Sequence, residues 1–249
     1  MAQSAATLRL TIGDLQIAHR LEVPDDKVPA DTVVPALQGL VNAVVEAAER
    51  QSTAAGHSIS CRKGCGACCR QLVPISASEA ERLIGLIDAL PGPQRKALTE
   101  RFAAAADTLD RASLRQALLD PAQRAGKTDR ELSAAYFALG VPCPFLEEES
   151  CSIHAERPLV CREYLVTSPA TLCARPDQEG VTPVPVPKVS TAARGLEEHR
   201  AEIDVANRWF PLSLLLVWAA GRPRPAQRRI VRQTGPEWVQ RFVGRLARK

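Results

Sequence analysis

Four cysteines fall within nine consecutive positions of this chain, spaced Cys61-x3-Cys65-x2-Cys68-Cys69. Thiolates are natural ligands of zinc and of iron–sulfur clusters, so four together predict a metal partner. A second cysteine run lies beyond a predicted helical block, and its members are Cys143, Cys151, Cys161 and Cys173. A fold that completes one ligand set must bring the two runs together in space.

The number of thiols constrains the kind of metal centre. One tetrahedral zinc uses four thiolates, whereas the two runs offer seven even without Cys173. The site is therefore two metals, a multi-iron cluster, or one metal with reactive thiols to spare. Adjacent Cys68 and Cys69 tend to point in different directions, and the paired Cys-x2-Cys units of structural zinc knuckles are missing. We favour iron, as a 4Fe–4S cluster, over zinc.

Glycines and cations surround the first run. Gly64 and Gly66 flank Cys65 and let the backbone curl tightly around an ion. Cations beside the candidate ligands can offset the negative charge of bound thiolates, and they are Arg62, Lys63, Arg70, Arg157 and Arg162.

Two cysteines of the second run have contrasting surroundings. Pro158 predicts a helix start that places Cys161 in the first turn, where the helix dipole and Arg162 favour a thiolate. Cys173 stands alone in the segment TLCA. It is read equally well as a ligand or as a small buried hydrophobe.

The second run continues with three short motifs, which read Cys143-Pro144-Phe145-Leu146, Cys151-Ser152-Ile153-His154 and Arg157-Pro158-Leu159-Val160-Cys161-Arg162. Together with CRKGCGACC at 61–69 they resemble, in order, the YkgJ-like cysteine-cluster family. That family is described as zinc- or iron-chelating proteins with a CxxxCxxCC signature. The resemblance covers residues 61–164 and leaves both ends of the chain outside it.

The resemblance implies seven metal-linked cysteines, namely Cys61, Cys65, Cys68, Cys69, Cys143, Cys151 and Cys161. The family often carries tyrosine at the position of His154, which favours packing or support of a ligand over ligation there. His57, four residues before the first cysteine, is interpreted as a loop residue. Glu147–Glu149 are interpreted as a solvated loop.

The resemblance names no activity, so catalysis stays uncertain. Bacterial flagellin lysine-N-methylases carry similar cysteine signatures and are iron–sulfur proteins, but this sequence has no glycine-rich strand–loop–helix for S-adenosylmethionine. The spacing of Cys61, Cys65 and Cys68 also matches radical S-adenosylmethionine enzymes. Those need repeated βα units after the motif and usually an aromatic residue where Ala67 stands, so this reading is disfavoured.

Composition and hydropathy limit the class of protein that this chain can be. Of the 249 residues, 45% are hydrophobic and 24% charged, as in ordinary globular proteins. The N-terminal stretch has no basic start or unbroken apolar run. Leu212–Ala220 is about half of the roughly 20 residues that a membrane span needs. We therefore expect a cytoplasmic protein with no membrane association, where eight cysteines favour metal chemistry over disulfides.

The net charge of +4 is distributed unevenly, because residues 221–249 carry nine Lys/Arg and one Glu. Such a tail can bind an acidic partner, so a protein partner is possible. A solvated helix face explains it more simply, and nucleic acid is an unlikely ligand because no aromatic stacking motif accompanies the charge.

The predicted fold class is mainly α with a small N-terminal β-hairpin and irregular cysteine-rich loops. Residues 7–23 alternate apolar and polar positions around Gly13-Asp14, which indicates a hairpin. Residues 181–189 carry proline at 183, 185 and 187. This pattern predicts either an edge strand that adds a third strand to that sheet or a solvated polyproline segment.

Helices are predicted at eight places, with the bounds 35–50, 78–90, 94–119, 129–139, 158–167, 192–209, 212–220 and 236–247. A capping box at Ser76 and Glu79 opens the second. We expect one domain over 1–249, with the cysteine-cluster core at about 57–175, the hairpin at 7–23 and a basic helical tail at 221–249.

Three function classes remain open after this reading. The first is a metalloprotein with a redox, sensing or metal-handling role. The second is an enzyme that uses the cluster to modify a protein. The third is an interaction protein whose metal only fixes the fold.

Overall fold

The computed structural model describes residues 2–175, 180–194, 196, 209–222 and 230–246. Helices dominate this part of the chain, as predicted. They are α1 (Val34–Ala54), α2 (Ala77–Asp88), α3 (Gly92–Arg111), α4 (Arg115–Leu119), α5 (Asp129–Ala138), α6 (Leu159–Arg162), α7 (Leu215–Ala220) and α8 (Gly235–Leu246). None of them is both long enough and apolar enough to cross a membrane.

The N-terminal hairpin is confirmed. β1 (Gln3–Ile12) pairs antiparallel with β2 (Leu15–Pro24), and Gly13 takes φ +56° in the two-residue turn between them. Alternate side chains of β2 are buried, because one face of the strand packs on α1 and α8. The alternation of apolar and polar residues in the sequence therefore indicates a sheet that is covered on one side.

The third-strand option for residues 181–189 is wrong. In the described part of the chain the hairpin sheet has two strands, and the proline-rich segment lies beside the residues that follow α6. Val184 N–H donates to Leu165 O at 2.8 Å, and Thr167 N–H donates to Thr182 O at 2.9 Å. The alternating prolines still leave Val184 a free N–H for pairing, but its partner is a neighbouring loop and not the hairpin.

The predicted helix 94–119 is interrupted. α3 ends at Arg111, and Ser113 takes φ +55° before α4 begins. A left-handed backbone cannot continue a right-handed helix. The break lets Leu114 and Leu118 turn into a core with Leu132 of α5. Tertiary packing here overrides an alanine-rich sequence of high helix propensity.

Two other predicted helices differ from the structure. α6 covers four residues and not the ten of 158–167, because the backbone from Leu165 onward pairs with the proline-rich segment. The predicted helix 192–209 lies mostly outside the described residues, and its start belongs to a 3-10 turn at Val189–Ala193. The residues 223–229 and 247–249 of the basic tail also lie outside the described part.

Short strands and the main core position the cysteine loops. β3 (Pro74–Ile75) pairs with β6 (Phe210–Pro211), and β4 (Leu146–Glu147) pairs with β5 (Ser150–Cys151). The largest core joins the hairpin, α1 and α8, and it extends to Leu159 and Leu165 on either side of Cys161. The second cysteine run is thereby anchored to the best-packed part of the chain.

Candidate metal centre

Tight turns shape the first cysteine run. Cys65 N–H donates to Arg62 O at 3.1 Å, and Gly64 takes φ +88° within that turn. A 3-10 turn at Ala67–Arg70 follows, and its side chains are all half-buried. The run is therefore held by backbone turns and by what the cysteines contact, with little apolar burial of its own.

The two runs meet through their backbones, as predicted. Cys143 N–H donates to Cys69 O at 2.7 Å. The segment after Cys143 forms the β4–β5 hairpin, whose two turn residues, Glu148 and Glu149, both take positive φ. This hairpin carries Cys151 at its end and lies directly against the first run.

The acidic run Glu147–Glu149 is exposed, as expected of a solvated loop, and two of its carboxylates also form ion pairs. Arg70 binds Glu149 through two N–H···O contacts of 2.9 and 2.6 Å. Arg101 binds Glu147 at 2.5 Å. The first pair links the hairpin turn to the first cysteine run, and the second links the hairpin to α3.

One cavity of about 470 Å³ gathers the candidate ligands. All seven cysteines implied by the resemblance line it, and they are Cys61, Cys65, Cys68, Cys69, Cys143, Cys151 and Cys161. The described lining contains a single carboxylate, Glu49. This donor chemistry fits a thiophilic metal such as zinc or an iron–sulfur centre. Within the described residues no three His, Cys, Asp or Glu side chains form a closely converged ligand group, so the thiols share a wall without a preformed coordination shell.

The thiols are arranged so that losing their protons is costly in the metal-free protein. The pKa of Cys68 is raised, first by a hydrogen bond with Cys69 and then by burial. Burial raises the pKa of Cys143 to about 12. The pKa values of Cys61 and Cys151 are also raised by burial. A bound cation would reverse this balance, because it stabilises thiolates.

In the metal-free protein, the helix dipole and Arg162, which we expected to favour a Cys161 thiolate, are outweighed. Burial and then the neighbouring thiols Cys143 and Cys68 raise its pKa well above the ordinary value. The one-turn helix α6 has too few aligned peptides to oppose burial. The guanidinium of Arg162 is buried and donates to Arg157 O and Asn42 Oδ1, and its charge also interacts favourably with Cys161.

The buried carboxylate of Glu79 positions the helix turn that carries Cys161. The sequence predicted Glu79 only as a cap of α2. Glu79 accepts from Ser76 N–H at 2.9 Å in the predicted capping box of α2, which is confirmed. Its other oxygen accepts from Leu159 N–H at 2.8 Å, in the first turn of α6. One side chain thus fixes the starts of two helices. The capping motif is visible in the sequence, but its second partner lies 80 residues away.

The eighth cysteine lies beside the cavity and not in its lining. Cys173 is 3% exposed. Gln71 Nε2 donates to Cys173 O and to the Tyr164 hydroxyl, both at 3.2 Å. The turn that holds Cys173 packs against Ala67–Arg70. Tyr164 and Gln71 line the cavity, and nothing in the sequence pattern marked either as a site residue.

The two histidines near the cysteine runs lie in different places relative to the cavity. His154 lines the cavity, and its Nε2 contacts Arg157 Nη1. His57 is exposed at the end of α1 and is absent from the described lining.

The architecture defines a class: a mainly helical protein whose two cysteine runs converge on one thiol-lined cavity. Residues 60–180 match the model of the CxxCxxCC family, described as "Putative zinc- or iron-chelating domain". Searches of curated proteins and of solved structures found no match. The family supports metal binding in general, in agreement with the donor set of the cavity.

Proposed function

We propose that this protein is a cytoplasmic cysteine-cluster metalloprotein that binds iron, as a 4Fe–4S cluster, or zinc, and serves a redox, sensing or metal-handling role. The observation that carries the proposal is the convergence of seven thiols from two distant runs on one cavity. We assign the ligands to the seven cysteines of that lining. The cytoplasmic assignment is supported by eight cysteines that are all free of disulfides.

Iron is our first choice because the donor set exceeds the needs of one zinc. A single structural zinc binds four ligands in a closed tetrahedral shell, which would leave three thiols of this lining unused. A multi-iron cluster, or two metal ions, employs more of them. Either centre would bring positive charge to a cavity where thiol pKa values are raised by burial.

The decisive experiment is purification without oxygen, followed by elemental analysis and absorption spectroscopy. A 4Fe–4S cluster is expected to give broad thiolate-to-iron absorption and bound iron in stoichiometric amount, whereas a zinc protein is colourless. Cys65→Ser should lower the metal content, and Cys173→Ser should lower it much less. Protein that retains neither metal and takes up neither on reconstitution would refute the proposal.

A second candidate, a cluster-dependent enzyme that modifies a protein, is favoured by the size of the cavity. Its volume of about 470 Å³ falls in the range of small-molecule pockets, and it exceeds what bare metal ions need. Tyr164 and Lys188 add polar groups to the lining. Incubation with labelled S-adenosylmethionine and candidate protein substrates tests this idea, and transfer of label is the result that it requires.

A further inference from the structure

Arg157 is unusual among the cations near the thiols. It lines the cavity and is half-buried. Its Nε is buried without a hydrogen-bond partner in the described structure. A buried, unpaired guanidinium N–H is costly, so its presence beside a thiol cavity calls for an acceptor that the metal-free protein does not offer.

The other cations are occupied or exposed. Arg70 binds Glu149 in a two-contact ion pair. Arg162 donates hydrogen bonds to Arg157 O, Asn42 Oδ1 and Ala155 O. Arg62 and Lys63 are exposed at the edge of the cavity. Five cations lie beside the candidate ligands in sequence. Among them, Arg157 is the one with a buried N–H that has no protein acceptor in the described structure.

Arg157 shares the cavity with both cysteine runs. The same lining contains Cys61 and Cys68 of the first run and Cys151 of the second. Cys61 and Cys151 are 90 positions apart in sequence. A positive charge in this lining stabilises nearby thiolates.

His154 holds the guanidinium in place. Its Nε2 contacts Arg157 Nη1, and only a neutral imidazole can accept there. Burial first and then the charge of Arg157 lower the pKa of His154, which keeps the ring neutral. Since its Nε2 is engaged, His154 supports Arg157 and does not present that nitrogen to a metal.

We propose that Arg157 is the built-in counter-cation of the metal centre: its Nε–H donates to a thiolate sulfur once metal is bound, and His154 orients it. This inference rests on the proposed function. It assigns a positioning role to the first residue of the Arg-Pro-x-x-Cys-Arg motif, whose last residue, Arg162, serves the fold. Partners of this kind typically contribute 10–100-fold to metal affinity.

The test compares zinc affinities of the reduced full-length protein by competition with a chromophoric chelator. We expect R157Q to bind zinc about 10–100-fold more weakly than the unaltered chain. R157K should lie between them, because it keeps the charge and loses the Nε–H. The matched control R62Q removes an exposed cation next to Cys61. It should weaken zinc binding by less than about fivefold.

Cobalt substitution supplies a second readout that does not depend on affinity. The thiolate-to-cobalt absorption of R157K at saturation should shift relative to the unaltered protein, because lysine has no N–H at the position of Nε and a sulfur loses its hydrogen bond, and R62Q should leave it unchanged. Equal affinities for R157Q and R62Q, together with an unchanged spectrum for R157K, would overturn the inference. An unaltered chain that binds no zinc, cobalt or iron would instead refute the proposed function.

If circular dichroism shows that R157Q does not fold, the variant H154F tests the inference instead. H154F removes the acceptor for Arg157 and leaves the charge count unchanged. We expect H154F to weaken zinc binding about tenfold. Unchanged zinc affinity in both H154F and R157K would count against the inference as firmly as an unaffected R157Q.

Discussion

Gly66 of the first cysteine run lies directly against the β4–β5 hairpin. A Cβ at this position would lie 2.4 Å from Glu149 O and 2.4 Å from Leu146 Cδ1. Such distances are well inside van der Waals contact, and one of the atoms belongs to a backbone that cannot rotate away. The glycine is therefore required by the β4–β5 hairpin that rests on it.

Gly66→Ala is expected to destabilise the protein by about 1–3 kcal/mol, the usual cost of overpacking. Gly85→Ala is the matched control, because Gly85 lies within α2 and nothing stands within 4 Å of an added Cβ. That variant should gain about 0.5–1 kcal/mol from helix propensity. Urea unfolding of both variants measures the difference, and a Gly66→Ala protein as stable as the original would show that the hairpin shifts freely.

At the scale of elements, two capping boxes built on the same motif have opposite electrostatics. Glu79 caps α2 while buried, and burial raises its pKa. Glu131 caps α5 in solvent, and its hydrogen bonds with Thr128 lower its pKa. The shared motif does not reveal this difference, since it arises from the burial of Glu79 in the folded protein.

The pH dependence of stability should separate these two boxes. A raised pKa in the folded state means that the contribution of Glu79 is fully present below its unfolded pKa near 4.5 and is lost as pH rises. The lowered pKa of Glu131 means that its contribution is present above 4.5 and is lost as pH falls. The stability difference between the unaltered chain and Glu79→Gln should therefore fall with rising pH, and that for Glu131→Gln should grow. Parallel trends in urea unfolding between pH 3 and 8 would contradict the assignment.

The cysteine loops should depend on metal more than the helices do. The side chains of the turn Ala67–Arg70 are only half-buried, whereas α1 contributes a continuous apolar face to the main core. Ligand binding energy then becomes local folding energy. Chelation or Cys65→Ser is expected to raise hydrogen exchange at 61–70 and 143–161 and to leave most helical circular dichroism intact. Cys173→Ser should have a much smaller effect. Complete loss of helix, or unchanged loop protection, would each argue against this division.

For the whole molecule, the raised thiol pKa values couple metal binding to pH. The thiols of Cys61, Cys68, Cys143, Cys151 and Cys161 are protonated at neutral pH, since their pKa values lie above the ordinary thiol value. Metal must displace those protons, so the apparent affinity should rise as pH increases from 6 to 9. Zinc titration calorimetry in buffers of different ionisation enthalpy measures the protons released. Identical heats in all buffers would show that the thiols are already deprotonated.

The sequence predicted those features that depend on short-range patterns. The hairpin follows from alternation around Gly13, and the convergence of the cysteine runs follows from an incomplete ligand set in each. The features that it missed depend on contacts between distant residues. The backward turn at Ser113 is stabilised by a core shared with α5, and the second bond of Glu79 reaches Leu159. No local pattern encodes such partners.

The backbone bond between Cys143 and Cys69 has a consequence for how the protein is made. About 74 residues separate the two, and ribosomes add roughly 5–20 residues per second, so the first four thiols precede their partners by roughly 4–15 s. During that interval the nascent chain exposes Cys61–Cys69 without the hairpin that later covers it. Oxidants and competing metal ions then have access to half a site. A helical segment inserted between the runs would lengthen this vulnerable interval without altering the finished molecule.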